Sequence, residues 1–117
     1  MGNNKELGDK GEVIAANYLE KEGFRIEARN YRYCRNEVDI IARKENLLVF
    51  VEVKTRTSTY FGYPEESVTD RKADLIMEAA DNYIQENDWQ GNIRFDIIAI
   101  EFQPNQHKVY HFPDAFF

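Results

Sequence analysis

Leu47-Leu48-Val49-Phe50-Val51-Glu52-Val53-Lys54 decides the architecture of this chain. Its first five residues are apolar without alternation, as in a strand covered on both faces in the middle of a sheet. Glu52 and Lys54 close the run. Strand side chains alternate, so both project from the face that carries Leu48 and Phe50. A carboxylate and an ammonium at the end of a buried strand are costly to desolvate unless they are paired or bind a metal.

Just upstream, Glu37 to Arg43 reads as a neighbouring strand, and the polar turn Lys44-Glu45-Asn46 predicts an antiparallel hairpin. Val38, Ile40 and Ile41 are apolar there, and Asp39 interrupts them. Pairing through the short turn brings Asp39 close to Glu52. Two carboxylates held together repel, and one pKa rises unless a cation lies between them. Mg²⁺ is commonly held by one or two carboxylates, with phosphate oxygens and water completing its shell. Asp39, Glu52 and Lys54 therefore outline a phosphodiesterase site. In it Mg²⁺ or Mn²⁺ activates water and polarises the phosphoryl group, and the lysine steadies the developing charge. The plainer alternative is an ion pair, Glu52–Lys54 or Asp39–Lys54, with no chemistry. Three charges converging at the end of so apolar a strand favour the site.

The remaining elements follow from periodicity. Asn3 to Glu22 reads as a helix, with Leu7, Gly11, Ile14, Tyr18 and Glu22 at three- to four-residue spacing and Gly23 as its stop. Phe24, Ile26 and Ala28 alternate with Arg25, Glu27 and Arg29, as in a strand with one wet face. Leu47 to Thr55 is the central strand, and Thr57 to Glu66, with Gly62 and Pro64, is a loop. Ser67 is placed to cap a second helix, with Asp70 three residues later, and Val68, Lys72, Leu75, Ile76, Ala79, Ala80, Tyr83 and Ile84 mark its helical spacing. Asn92 to Glu101 is an apolar strand, Pro104-Asn105 starts a turn, and His107 to Phe112 is an edge-like strand. The predicted order is αβββαββ: an α/β fold with a mixed five-stranded sheet flanked by helices, in one domain over residues 1–117.

Composition sets further bounds. A chain of 117 residues, 43% apolar, can bury a core without disulfides or structural metal. Cys34 is the single cysteine, which suits a reducing cytoplasm and reads as a bland thiol. No apolar run is long enough to span a membrane, and the N-terminus does not read as a signal peptide. The net charge is −6, all of it in residues 73–117; residues 1–72 hold 13 basic and 13 acidic side chains. Phosphate binding depends on the local field. Arg25, Arg29, Arg32 and Arg35, interleaved with Tyr31 and Tyr33, form a candidate nucleic-acid strip, or else an ordinary solvated strand and loop.

Asp39, twelve intervening residues and then Glu52-Val53-Lys54 match the D…(D/E)xK signature of the restriction-endonuclease-like superfamily. Three more stretches narrow the resemblance: Gly11-Glu12 with Ala15, Asn36-Glu37-Val38-Asp39-Ile40-Ile41, and Val49 to Arg56. With Arg94-Phe95-Asp96, nearly the whole chain resembles the bacterial YraN-like family of uncharacterised predicted endonucleases, similar in turn to archaeal Holliday-junction resolvases. The resemblance implies a restriction-endonuclease-like fold and Mg²⁺- or Mn²⁺-dependent hydrolysis of DNA. Asp39 and Glu52 would be the metal ligands, Lys54 the catalytic lysine and Glu12 an extra helix carboxylate. The family's own substrate does not carry over; by analogy with the resolvases, branched or junction DNA is one candidate and, from the two-fold symmetry of a junction, so is a homodimer. Helical geometry puts Glu12 beside Ala15 and Leu19 at the edge of the buried stripe, from which it can lean toward the sheet.

Several residues carry weaker signals. Arg56 can clamp a phosphate, and Lys72 can reach DNA from the second helix; both also read as ordinary surface cations. Arg29 and Arg32 are the strip's main phosphate candidates. Asp96, in an apolar strand, reads as the structural partner of an arginine. His107 and His111 share a face of the last strand, which allows a metal pair, although edge-strand histidines are the better reading. Tyr60-Phe61-Gly62-Tyr63-Pro64 can stack on unpaired bases or pack as a lid. Against the nuclease stands a non-catalytic nucleic-acid-binding or adaptor domain on the same fold, which the sequence pI of about 4.9 favours.

Overall fold

The computed structural model describes residues 4–57 and 69–116. The order is α1 (Asn4–Lys21), β1 (Arg25–Tyr33), β2 (Asn36–Lys44), β3 (Leu47–Arg56), α2 (Asp70–Glu86), β4 (Asn92–Gln103) and β5 (Gln106–Phe112). This is the expected αβββαββ, with each shared boundary displaced by a few residues at most.

Helix α1 ends as Gly23 predicts. Gly23 takes φ +96°. Its N–H donates to Glu20 O at 3.0 Å, and the Phe24 N–H donates to Leu19 O at 2.9 Å. These two bonds make a Schellman stop. Helix α2 begins later than the sequence suggests: its cap is Thr69, whose hydroxyl accepts from the Lys72 N–H at 3.1 Å. The cap's partner amide lies three residues on, so Thr69 serves the first turn while Asp70 sits inside it, near the positive end of the helix dipole. Ser67, Val68 and the Tyr60–Pro64 stretch lie outside the described residues.

The five strands form one sheet in the order β1-β2-β3-β4-β5, with β3 central. Neighbours are antiparallel except β3 and β4, which are parallel and joined across α2. Strand β1 runs on to Tyr33, and a register shift between Ile26 and Ala28 interrupts its simple alternation. The turn between β2 and β3 is two residues, Glu45 and Asn46, with Glu45 at φ +53°.

The sheet is covered on both faces, which accounts for the unbroken apolar run of β3. Val49 and Val51 pack with Ala15, Ala16 and Leu19 of α1, together with Ile40, Ile98 and Ile100. Leu48 and Phe50 pack with Ile76, Ala79, Ala80 and Tyr83 of α2. Each fully buried branched or aromatic side chain contributes about 1.5–3 kcal/mol. Among the described residues, no helix is long and apolar enough to cross a membrane.

Candidate active site

The β2–β3 ladder pairs Lys44 with Leu47 at the turn and reaches Ile40 with Val51. One further step sets Asp39 opposite Glu52, and there a side chain takes over a backbone role: the Val53 N–H donates to Asp39 Oδ2 at 2.8 Å. Glu52 is buried at the point where the apolar run ends. Burial and the neighbouring Glu52 charge push the Asp39 carboxyl up to about 8, against the lowering effect of the Val53 amide. The proximity expected from the hairpin is therefore present, together with its electrostatic consequence.

Lys54 shares the Glu52 face, and its Nζ lies 3.2 Å from Glu52 Oε2. A second ammonium meets the same oxygen, that of Lys72 from the first turn of α2. Burial pulls the Lys72 ammonium down, but its bond to Glu52 and the Asp39 charge hold it above the usual lysine value. The sequence suggests for Lys72 only a surface cation able to reach DNA. Its place follows from topology. A helix crossing between parallel strands runs against them, so its N-terminus lies at their carboxyl ends, where open α/β sheets gather ligands. The parallel pairing of β3 and β4 was the signal that could have located it.

Glu12 comes from the opposite layer. It lies 3.7 Å from Arg29 Nη2 and is half-buried. Burial raises its carboxyl above the usual range, with Arg29 and Asn30 opposing, and its charge contributes to raising Asp39. Glu12 thus leans toward the sheet as expected, and it acts on the pair as a nearby charge.

The arginine strip is rearranged by its partners. Arg29 is held by Glu12, Arg32 by Glu37 at 3.2 Å, and Arg25 by Glu27. Tyr31 is turned against α2: its hydroxyl donates to Glu86 at 2.8 Å, and its ring packs edge-on against Tyr83. It is a packing residue and not a free base-stacking platform, because this part of β1 lies beneath α2. Arg56 ends β3 and is half-buried. Cys34 is an exposed free thiol in the β1–β2 turn.

Asp96 is structural, as the sequence suggests. It is fully buried and receives Arg94 through two bonds of 2.8 Å, the Asp114 N–H at 2.9 Å and His111 Nε2 at 2.7 Å. Burial alone would raise its carboxyl, but the bonds from His111 and Arg94 hold it below the usual value. His111 Nδ1 reaches the Tyr18 hydroxyl at 3.1 Å, so this histidine links β4 and β5 to α1. His107 instead packs edge-on against Phe102. The two histidines do not combine as a metal pair.

Among the described residues, no three Asp, Glu, His or Cys side chains are grouped to hold a metal. Asp39 and Glu52 offer two hard carboxylate donors, and their forced proximity is relieved by a cation. They suit Mg²⁺ or Mn²⁺ provided that phosphate oxygens and water supply the rest of the shell.

Fold and site together define an α/β protein with a buried carboxylate pair and two lysines at the carboxyl end of its central strand. The chain belongs to Uncharacterised protein family UPF0102, whose model matches residues 11–100. It is 43% identical over 117 residues to a UPF0102 protein of Flavobacterium psychrophilum, covering 100% of this chain and 98% of that one. It is 46% identical over 121 residues to one of Flavobacterium johnsoniae, with coverage of 100% and 98%. A relative in Geobacter metallireducens is 42% identical over 114 residues, covering 97% of this chain and 93% of that one. The matched span contains Glu12, Asp39, Glu52, Lys54 and Lys72 and stops before β5.

Proposed function

We propose that this chain is a Mg²⁺- or Mn²⁺-dependent endodeoxyribonuclease of restriction-endonuclease-like fold, with branched or junction DNA as one candidate substrate among those tested below. The observation that carries the reading is the Asp39–Glu52 pair. Two carboxylates are pressed together until one holds its proton up to about 8, at the carboxyl end of the central strand with Lys54 on the same face. Bound there, the cation supplies an activated water and neutralises charge on the phosphoryl oxygens.

This chain's residues do the rest. Asp39 and Glu52 would hold the cation, Asp39 giving up its proton to do so. Lys54 stands two residues from Glu52 on the same face, where its ammonium can meet the charge that develops on the phosphate. Lys72 neutralises Glu52 while no cation is bound. Glu12 adds negative field from the side of α1 and strengthens the demand for a cation.

The test screens duplex, single-stranded, flapped and four-way DNA for cleavage with either metal, and compares Lys54→Met with Glu52→Gln. Lys54→Met is expected to keep Mn²⁺ binding and to lose about a hundredfold to a thousandfold in single-turnover rate, the effect of about 3–4 kcal/mol of lost transition-state stabilisation. Glu52→Gln loses both. Mn²⁺ is expected to raise the melting temperature of the wild type, since it binds the folded cluster and not the unfolded chain. Full-rate cleavage by Lys54→Met would assign any activity to another site.

A further inference from the structure

A cleft of about 390 Å³ opens onto the carboxylate pair. Asp39, Glu52 and Lys72 line it, and so do Arg35 from the β1–β2 turn and Arg71 from the first turn of α2. These two arginines differ from the others. Arg25, Arg29, Arg32 and Arg94 are each held by a carboxylate. Arg43 donates to Glu45 O and lies over the Trp89 ring, and Arg56 also has a partner. Arg35 and Arg71 are exposed, and among the described residues neither has an ion pair or a side-chain hydrogen bond.

We propose that Arg35 and Arg71 form a two-pronged clamp for the phosphodiester backbone of a nucleic-acid strand, on the phosphates flanking the one held at Asp39 and Glu52. The inference rests on the nuclease reading and names the surface that receives its substrate. Guanidinium groups match phosphate oxygens bidentately, and two free ones on separate elements can each take one phosphate. Both mounts are fixed. Cys34, at φ +58°, sets the tight turn from which Arg35 projects. The Thr69 cap fixes the start of α2 beneath Arg71, and the positive end of that helix dipole adds to the attraction. Arg29 and Arg32, the phosphate candidates suggested by the sequence, are already occupied by Glu12 and Glu37.

The experiment measures binding without turnover. Fluorescent single-stranded and four-way DNA are titrated with the full chain in EDTA across about 50–200 mM salt. Arg35→Ala/Arg71→Ala is expected to weaken binding about tenfold or more on every sequence, and to reduce the slope of log affinity against log salt by about two, one per lost phosphate contact. Lys21→Ala/Lys108→Ala removes the same charge outside the cleft and is expected to leave the slope unchanged. Arg35→Lys/Arg71→Lys is expected to keep the slope and lose part of the affinity. Melting temperatures close to wild type would show that all variants fold. A wild-type slope in Arg35→Ala/Arg71→Ala, on a chain that binds DNA, overturns the clamp and leaves the nuclease reading standing. A wild-type chain that binds neither DNA in EDTA overturns the clamp, and one that also fails to bind either DNA with Ca²⁺ in place of EDTA overturns both.

Discussion

Asp39 and Asp96 are both aspartates set into apolar strands, and their surroundings drive them in opposite directions. Asp96 is surrounded by donors and titrates below its usual value, so its contribution to stability is present above that value and is lost as the pH falls through the folded one. Asp39 is buried and faces Glu52, with Glu12 further off, and its carboxyl is pushed up to about 8 from an ordinary 3.8. The sign reverses. Between these values the folded chain holds a proton that the unfolded chain has released, so stability is greatest below the unfolded value and falls as the pH rises toward 8. In metal-free protein, Asp39→Asn is expected to remove that decline and to be more stable than wild type at pH 8, because an uncharged amide can still accept from Val53. Melting temperatures in EDTA from about pH 5 to 9 check it; parallel curves for the two proteins would mean that Asp39 does not bear the strain. Mn²⁺ affinity of the wild type should rise over the same range, since binding expels the proton.

At the level of elements, the close seat of α1 on the sheet depends on Gly11. A Cβ there would collide with Thr55 Cγ2 on β3. Gly11 stands next to Glu12, so the approach that needs no side chain at one position sets the height of the carboxylate at the next. Gly11→Ala gains up to about 1 kcal/mol in helix propensity but overpacks the contact by about 1–3 kcal/mol. A net loss on the order of 1 kcal/mol in urea unfolding is expected. Adding Thr55→Ser removes the colliding methyl and should restore stability to at least that of wild type; a double variant no better than Gly11→Ala would place the cost elsewhere. The sequence carries Gly11 in the buried stripe but holds no sign of its partner, because a helix–strand contact spanning more than forty residues has no local signature. Most of the site was readable for the opposite reason. Asp39, Glu52 and Lys54 lie on one hairpin, where turn length and alternation fix neighbours. Lys72 and Arg71 come by way of the crossover helix, and His111 reaches Asp96 only through the β4–β5 pairing, so none of them could be placed from spacing alone.

Across the whole molecule, charge is sorted in a way that the sum of −6 conceals. Residues 1–72 are neutral and supply the cleft's two arginines and its lysine, whereas the acidic excess begins in α2. Asp74, Glu78 and Asp81 are exposed at helical spacing on the side of α2 away from the sheet, beyond the turn that carries Arg71 and Lys72. One helix thus offers a polyanion attraction at its start and repulsion along its outer face. A DNA strand lying along that face would meet like charges within a Debye length of about 8–10 Å at ordinary salt, so the approach left to it is over the hairpin and into the cleft. On the proposed nuclease reading, the acidic composition would orient an incoming strand and not exclude it. Asp74→Asn/Glu78→Gln/Asp81→Asn brings the net charge from −6 to −3 without touching the cleft. It is expected to bind duplex DNA a few-fold more tightly at low salt, to lose that gain as salt shortens the Debye length to about 3–5 Å, and to cleave no faster once DNA is saturating. Fluorescence titrations at two salt concentrations, with single-turnover rates alongside, decide it. Affinity that does not respond to removal of the three charges would mean that bound DNA never comes near α2's outer face. Faster cleavage at saturation would mean instead that the acidic face restrains the chemical step, and the orienting role would then be wrong.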